Sequence, residues 1–199
     1  LFKKERSAVK NIVIGVGNLL FKDEGIGIYA AKYIEENYTF EPSIEIIDGG
    51  TLGFKLMSYF QEYDNVIILD TVSIEDNAGE IFRLPSDVLL GLGNYRKTAH
   101  EVEIVEMLEI CSVLDEHAKV TILGIIPQDI EKVEIGLTPK IEERFEEYIA
   151  HVIKEIEEMG CKVTKVQNKS IKQIAQELIG SYNGEHLSRI PNEEDLTCR

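Results

Sequence analysis

An apolar, β-branched run from Lys10 to Val16 feeds directly into a glycine turn at Gly17. Two acids follow at Asp23 and Glu24, and a helical pattern starts at once, with Ile26, Ala30, Tyr33 and Ile34 on one face as far as Tyr38. A strand that hands over to a helix through a tight turn is the opening of a βαβ unit. It also places Asp23 and Glu24 beside the carboxyl end of a strand. Open α/β sheets build their sites there, because the connecting loops splay apart and leave a crevice.

The alternation continues along the chain. Ser43–Ile47 reads as a second strand and ends in Asp48-Gly49-Gly50-Thr51, where Thr51 is a good helix cap and Leu52, Leu56, Tyr59, Phe60 and Tyr63 then recur at helical spacing. Asn65–Asp70 is a continuous apolar run, the pattern of a central strand covered on both faces. Glu80–Leu84 is a weaker strand. A helix starts near His100 and carries Ile104, Leu108, Cys111 and Leu114 inward, and Lys119–Ile125 is another buried strand. Thr138-Pro139 announces a long helix, striped by Ile141, Phe145, Ile149, Val152, Ile156 and Met159 and stopped by Gly160. Cys161–Val166 closes the series as an edge strand. Strands alternating with helices imply an α/β fold of three layers around a mostly parallel sheet.

The ends differ in character. Leu1–Lys10 is basic and polar, and is set aside as a frayed or extraneous end; residues 11–166 form the α/β domain. Residues 167–199 are an extension, in which Ser170 and Gln173 make a capping box and Ile171, Ile174, Ala175, Leu178 and Ile179 a short amphipathic helix ended by Gly180. Whether that helix packs on its own domain or on a neighbour is open at this level.

Which polar groups meet at the sheet edge decides the chemistry. Gly15-Val16-Gly17-Asn18-Leu19-Leu20 fails as a dinucleotide fingerprint, since Leu20 stands where the third glycine is needed, and two acids at the turn would repel a pyrophosphate. No P-loop is present, so no nucleotide is expected. Glu24, Asp70 and His100 are more coherent: two carboxylates and an imidazole are a donor set for a first-row divalent metal. Each also has a plain alternative, Glu24 as an acid at a helix start, Asp70 as a loop cap and His100 as a helix cap. Asp23 either shapes the turn or serves as a general base. The glycines of Asp48-Gly49-Gly50-Thr51 permit unusual backbone angles or the close approach of an extended peptide. His117, His151 and His186 fall on helical or tail surfaces without matching partners.

Composition narrows the partners. With 21 Lys and Arg against 36 Asp and Glu the net charge is -15, which argues against nucleic acid and anionic membranes. Three widely spaced cysteines, Cys111, Cys161 and Cys198, form neither a disulfide framework nor a zinc motif, as expected in a reducing cytoplasm. No run approaches the roughly 20 apolar residues of a membrane span.

Taken together, five stretches resemble the hydrogenase maturation endopeptidase family. They are Gly15-Val16-Gly17-Asn18 with Asp23-Glu24-Gly25-Ile26-Gly27; Asp48-Gly49-Gly50-Thr51; Ile67-Ile68-Leu69-Asp70; His100 opening a helix; and Gly124-Ile125-Ile126-Pro127 with Ile135-Gly136-Leu137-Thr138-Pro139. The resemblance covers about Asn11 to Gly160. It implies a twisted five-stranded sheet between helices, with Glu24, Asp70 and His100 as metal-contacting residues. It further implies an endopeptidase that trims the C-terminus of a nickel–iron hydrogenase large-subunit precursor, with nickel arriving on the substrate. Within that frame Asp23, Glu24 and Asp70 are the candidate catalytic acids, and Gly49, Gly50 and Thr51 the candidate substrate-binding turn. A protein that recognises the loaded precursor without cutting it, and an unrelated peptidase or nucleosidase-like hydrolase, are the competing readings. Ser170–Arg199 departs from the family pattern.

Overall fold

A computed structural model describes residues 9–51, 56–86, 88 and 118–187, with side chains up to residue 180. His100 and the helix expected around it, the start of the helix expected after Thr51, Cys111, His117, Cys198 and the final tail lie outside these residues.

The main sheet is built from β1 (Asn11–Val16), β3 (Glu45–Gly50), β4 (Asn65–Thr71), β5 (Ile81–Pro85) and β6 (Lys119–Ile125). Across the sheet these five strands stand in the order β3-β1-β4-β6-β5. β1, β3, β4 and β6 run parallel, and β5 pairs antiparallel with β6 at the far edge. The central strands are buried along almost their whole length, as their unbroken apolar sequences require. Alternate side chains feed two separate cores. Val13, Ile67, Leu69, Leu123 and Ile125 point to one face, and Ile12, Ile14, Val66, Ile68, Val120 and Ile122 to the other.

The first face is covered by α1 (Ile26–Asn37) and α3 (Pro139–Glu158); the second by α2 (Met57–Glu62), through Leu56 and Phe60. α1 is buried well beyond the single stripe expected, with Ile28, Tyr29 and Ala31 also hidden. One reason is that α3 packs beside it: Tyr33 meets Phe145 edge to face with ring centres 5.2 Å apart, and its hydroxyl donates to Glu146 at 3.1 Å. Thr138 caps α3 with Pro139 in the first turn, as the sequence indicates.

Two elements differ from expectation. The strand expected at Cys161–Val166 is β7 (Lys162–Lys165), and it leaves the main sheet to pair antiparallel with β2 (Tyr38–Glu41). β2 follows α1 without a glycine or proline to mark it, and at four residues it is too short to show a period. The terminal helix α4 runs Ile171–Leu187, straight through Gly180. An interior glycine costs a helix only about 1 kcal/mol, which other turns offset. The Ser170–Gln173 capping box forms as expected: the Gln173 amide donates to Ser170 Oγ at 3.4 Å, and Ser170 N donates to Gln173 Oε1 at 2.8 Å. α4 packs on its own domain, with Ile174 fully buried in the α1–α3 core.

Candidate active site

Strand order fixes where a site belongs. The chain leaves β1 through α1 toward β3 on one side, and leaves β4 toward β6 and β5 on the other. The carboxyl ends of β1 and β4 are therefore the switch point, where the outgoing loops diverge. Glu24 follows the first of these strands and Asp70 ends the second.

Glycines bring the two loops together. A Cβ on Gly27 would lie 2.0 Å from the Leu69 carbonyl and 2.3 Å from that of Val16, so the first turn of α1 rests directly on both strand ends. A Cβ on Gly15 would meet Ala31 Cβ at 2.7 Å, which keeps α1 equally close one turn further on. Glu24 sits three residues before Gly27 and Asp70 one residue after Leu69, so this contact brings together the two backbone segments that carry these acids. Gly17, at φ +141°, donates to the Gly50 carbonyl at 2.9 Å, while the Asn18 amide donates to the Glu24 carbonyl at 3.3 Å. The 3-10 turn Lys22–Gly25 leaves Glu24 half-buried and lies against β4.

Asp70 is only 1% exposed, and its Oδ1 accepts from the Thr71 amide at 2.7 Å. Beneath it lies a residue outside the expected stripe of α3. The Tyr148 hydroxyl donates to the Leu123 carbonyl at 2.6 Å, and the Asp70 backbone amide is directed at the Tyr148 hydroxyl oxygen. Burial, reinforced by the Asp70 charge, pushes the phenol well above its ordinary range, so it is held as a neutral donor. Its spacing, three residues after Phe145 and seven after Ile141, was the available signal for an inward position.

Asp48-Gly49-Gly50-Thr51 forms the third wall. Asp48 Oδ1 accepts from the Gly50 amide at 2.8 Å, and Gly50 takes φ +51°. Asp48 is exposed; desolvation pushes its carboxyl up, opposed by the Gly50 bond. The glycines divide the two expected roles. Gly49 is buried, its α-carbon facing Ile14 so closely that a Cβ would stand 2.8 Å away. Gly50 and Thr51 are the more exposed part: among the described residues a Cβ on Gly50 would find only Asp48 Oδ1, at 3.9 Å.

Asp23 stands apart. It is fully buried, and its carboxylate accepts four hydrogen bonds: from the Thr138 amide at 2.7 Å, the Thr138 hydroxyl at 3.0 Å, and the Gln128 and Asp129 amides at 2.9 and 3.0 Å. Four donors fill the accepting capacity of a carboxylate. The general-base role considered for Asp23 is therefore poorly served by its surroundings. It holds the loop between β6 and α3 against the turn after β1, a turn-shaping role whose partners lie over a hundred residues away. His151 is exposed, as expected. Among the described residues no three His, Cys, Asp or Glu side chains converge on a metal position; the expected set is represented there by Glu24 and Asp70 alone.

Comparison with known proteins places this geometry in context. The sequence profile of the hydrogenase maturation protease family matches residues 28–155, a span that includes Asp70 and His100 and begins just after Glu24. The hydrogenase 2 maturation protease of Escherichia coli is 32% identical over 151 residues, covering 75% of this chain and 92% of that protein. The structure of the hydrogenase maturating endopeptidase HybD from E. coli superposes with a TM-score of 0.72 at 30% identity, over 79% of this chain and 98% of that one. The [NiFe] hydrogenase maturation protease HybD from Thermococcus kodakarensis has the same fold, with a TM-score of 0.61 at 20% identity over 74% of this chain and 99% of that one.

Proposed function

Because this chain belongs to the hydrogenase maturation protease family and is a peptidase, we propose that it removes the C-terminal peptide of a nickel–iron hydrogenase large-subunit precursor once nickel is in place. The observation that carries this reading is the close approach of the turn bearing Glu24 to the end of the adjacent strand bearing Asp70. Nickel enters on the precursor and is part of the substrate. Glu24, Asp70 and His100 are the residues that would recognise it, because oxygen and imidazole donors complement a first-row ion already held by sulfur. An incomplete ligand set favours loaded over empty precursor, each tenfold preference corresponding to about 1.4 kcal/mol.

The chain's own residues then have distinct tasks. Gly50 and Thr51 receive the extended backbone near the scissile bond. Glu24, half-buried on its turn, takes the proton from a water attacking the scissile carbonyl and returns it to the leaving amine as the C–N bond breaks, while Asp70 stays anchored on Tyr148 and Thr71. Asp23 contributes by holding the turn. The reaction takes place in the cytoplasm.

Mass spectrometry of nickel-loaded and nickel-free precursor after mixing with the protein tests the proposal. Loss of the C-terminal peptide from the loaded sample alone is the expected result. Binding without mass loss would establish a recognition protein instead, and indifference to both precursors would point to an unrelated hydrolase.

A further inference from the structure

The clamp made by Asp23 does more than shape a turn. It fixes two loops side by side: Lys22 N donates to the Glu134 carbonyl at 2.9 Å, and Glu134 N donates to the Leu20 carbonyl at 3.0 Å, so that Phe21 and Glu134 form a parallel bridge. The Glu134 carboxylate pairs with both Lys22 and Lys132, and Asp129 Oδ1 accepts from the Glu131 and Lys132 amides at 3.0 Å each. The bridge lays the backbone of Leu20 alongside that of Val133 and Ile135. All three are exposed, Val133 by 73%. Of the six large apolar side chains left exposed among the described residues, half are on this short strip. Scattered apolar groups on a surface require no explanation, but a braced cluster does.

We propose that this strip is the docking surface for the folded body of the precursor, an interaction that rests on the endopeptidase reading. Leu20 belongs to the turn that carries Glu24, so the strip is continuous with the crevice that receives the precursor's C-terminal segment. A protein whose tail enters that crevice has its body against this rim. The local cations are already paired with Glu134, so an apolar partner surface meets a nearly balanced patch on a chain that is otherwise strongly acidic. Rigid bracing lowers the ordering cost of association.

The test compares the affinity of the full chain and of the Leu20→Ser/Val133→Ser variant for immobilised nickel-loaded large-subunit precursor, by biolayer interferometry. The expected result is a Kd at least about tenfold weaker, with an unchanged melting temperature and recovery in Leu20→Met/Val133→Ile. Val133→Ser alone, at a more exposed site, replaces the double variant if that one fails to fold. An unchanged Kd overturns the docking surface. A wild-type self-association that the substitutions abolish, seen by sedimentation, also overturns it by assigning the strip to a second copy of this chain. Wild-type protein that binds the precursor without cutting it overturns the endopeptidase reading alone, since the variant's Kd still judges the strip.

Discussion

Two buried aspartates, Asp23 and Asp70, show how the surroundings of one functional group divide its uses. Asp23 is ringed by four donors from a distant loop, so its charge is spent on structure. Asp23→Asn turns one accepting atom into a donor facing amides that need an acceptor, a loss of about 3 kcal/mol measurable by urea unfolding. A change below about 0.5 kcal/mol would show that the clamp is dispensable. Asp70→Asn keeps shape and burial but removes the charge at the rim. It is expected to lower precursor processing at least about a hundredfold while leaving circular dichroism unchanged, and His100→Ala to do the same; full cleavage by either would remove it from the ligand set. Glu134 gives the pH dependence. Lys132 and Lys22 hold its carboxyl down to about 2. A depressed carboxylate stabilises the fold at pH above its unfolded value, and the contribution is lost as pH falls through the folded one. Carbon-detected NMR titration should therefore find Glu134 still ionised at pH 3.5, with the bridge to Phe21 intact; titration near 4.5 would mean that the ion pairs do not form in solution.

At the scale of elements, the site depends on how closely α1 approaches β1 and β4. Gly27→Ala would press a methyl carbon into two carbonyl oxygens, neither of which belongs to a flexible side chain. Overpacking against backbone costs at least about 3 kcal/mol, and the displaced helix should carry Glu24 away from Asp70, so both melting temperature and processing rate fall. Wild-type stability in the Gly27→Ala variant would contradict the packing described. The strands of this unit were legible because their unbroken apolar runs, closed by a glycine turn after β1 and by Asp70 in β4, leave few alternatives, and Thr138-Pro139 marked α3 with its own chemistry. What was not legible depended on distant partners. Tyr38–Glu41 holds strand-favouring Tyr, Thr and Phe but is too short to show a period before Lys162–Lys165 pairs with it, and no spacing rule links Asp23 to Thr138. Gly180 read as a helix stop because local propensity was the only guide. The placement of Glu24 and Asp70 at the sheet edge was readable from strand ends alone, whereas the Tyr148 support beneath Asp70 required the fold.

For the whole molecule, the open question is how far the terminal helix belongs to the catalytic body. α4 buries Ile174 completely and Ile171, Ala175 and Leu178 in part against the α1–α3 core. Asn37, at the end of α1, anchors the approach to it: its side chain accepts from the Lys169 amide at 2.7 Å and donates to the Lys169 carbonyl at 3.1 Å. Lys169 in turn pairs with Glu36 and Glu177 at 2.9 and 3.0 Å, exposed contacts that contribute little on their own. Uncovering the fully buried Ile174 and the core beneath it costs up to about 3 kcal/mol. For a chain of this size that corresponds to a melting temperature lower by about 10 °C when residues 170–199 are removed. Activity should respond differently. Asn37 and Glu24 lie at opposite ends of α1, about 18 Å apart along a twelve-residue helix, and the loops that hold Glu24 are fastened by Asp23 rather than by α4. The shortened chain should still melt in one cooperative step and process precursor at 25 °C at close to the full rate. A broad, non-cooperative melt would make α4 part of the folding core, and lost processing with a sharp melt would show that the helix helps to set the position of Glu24 through α1.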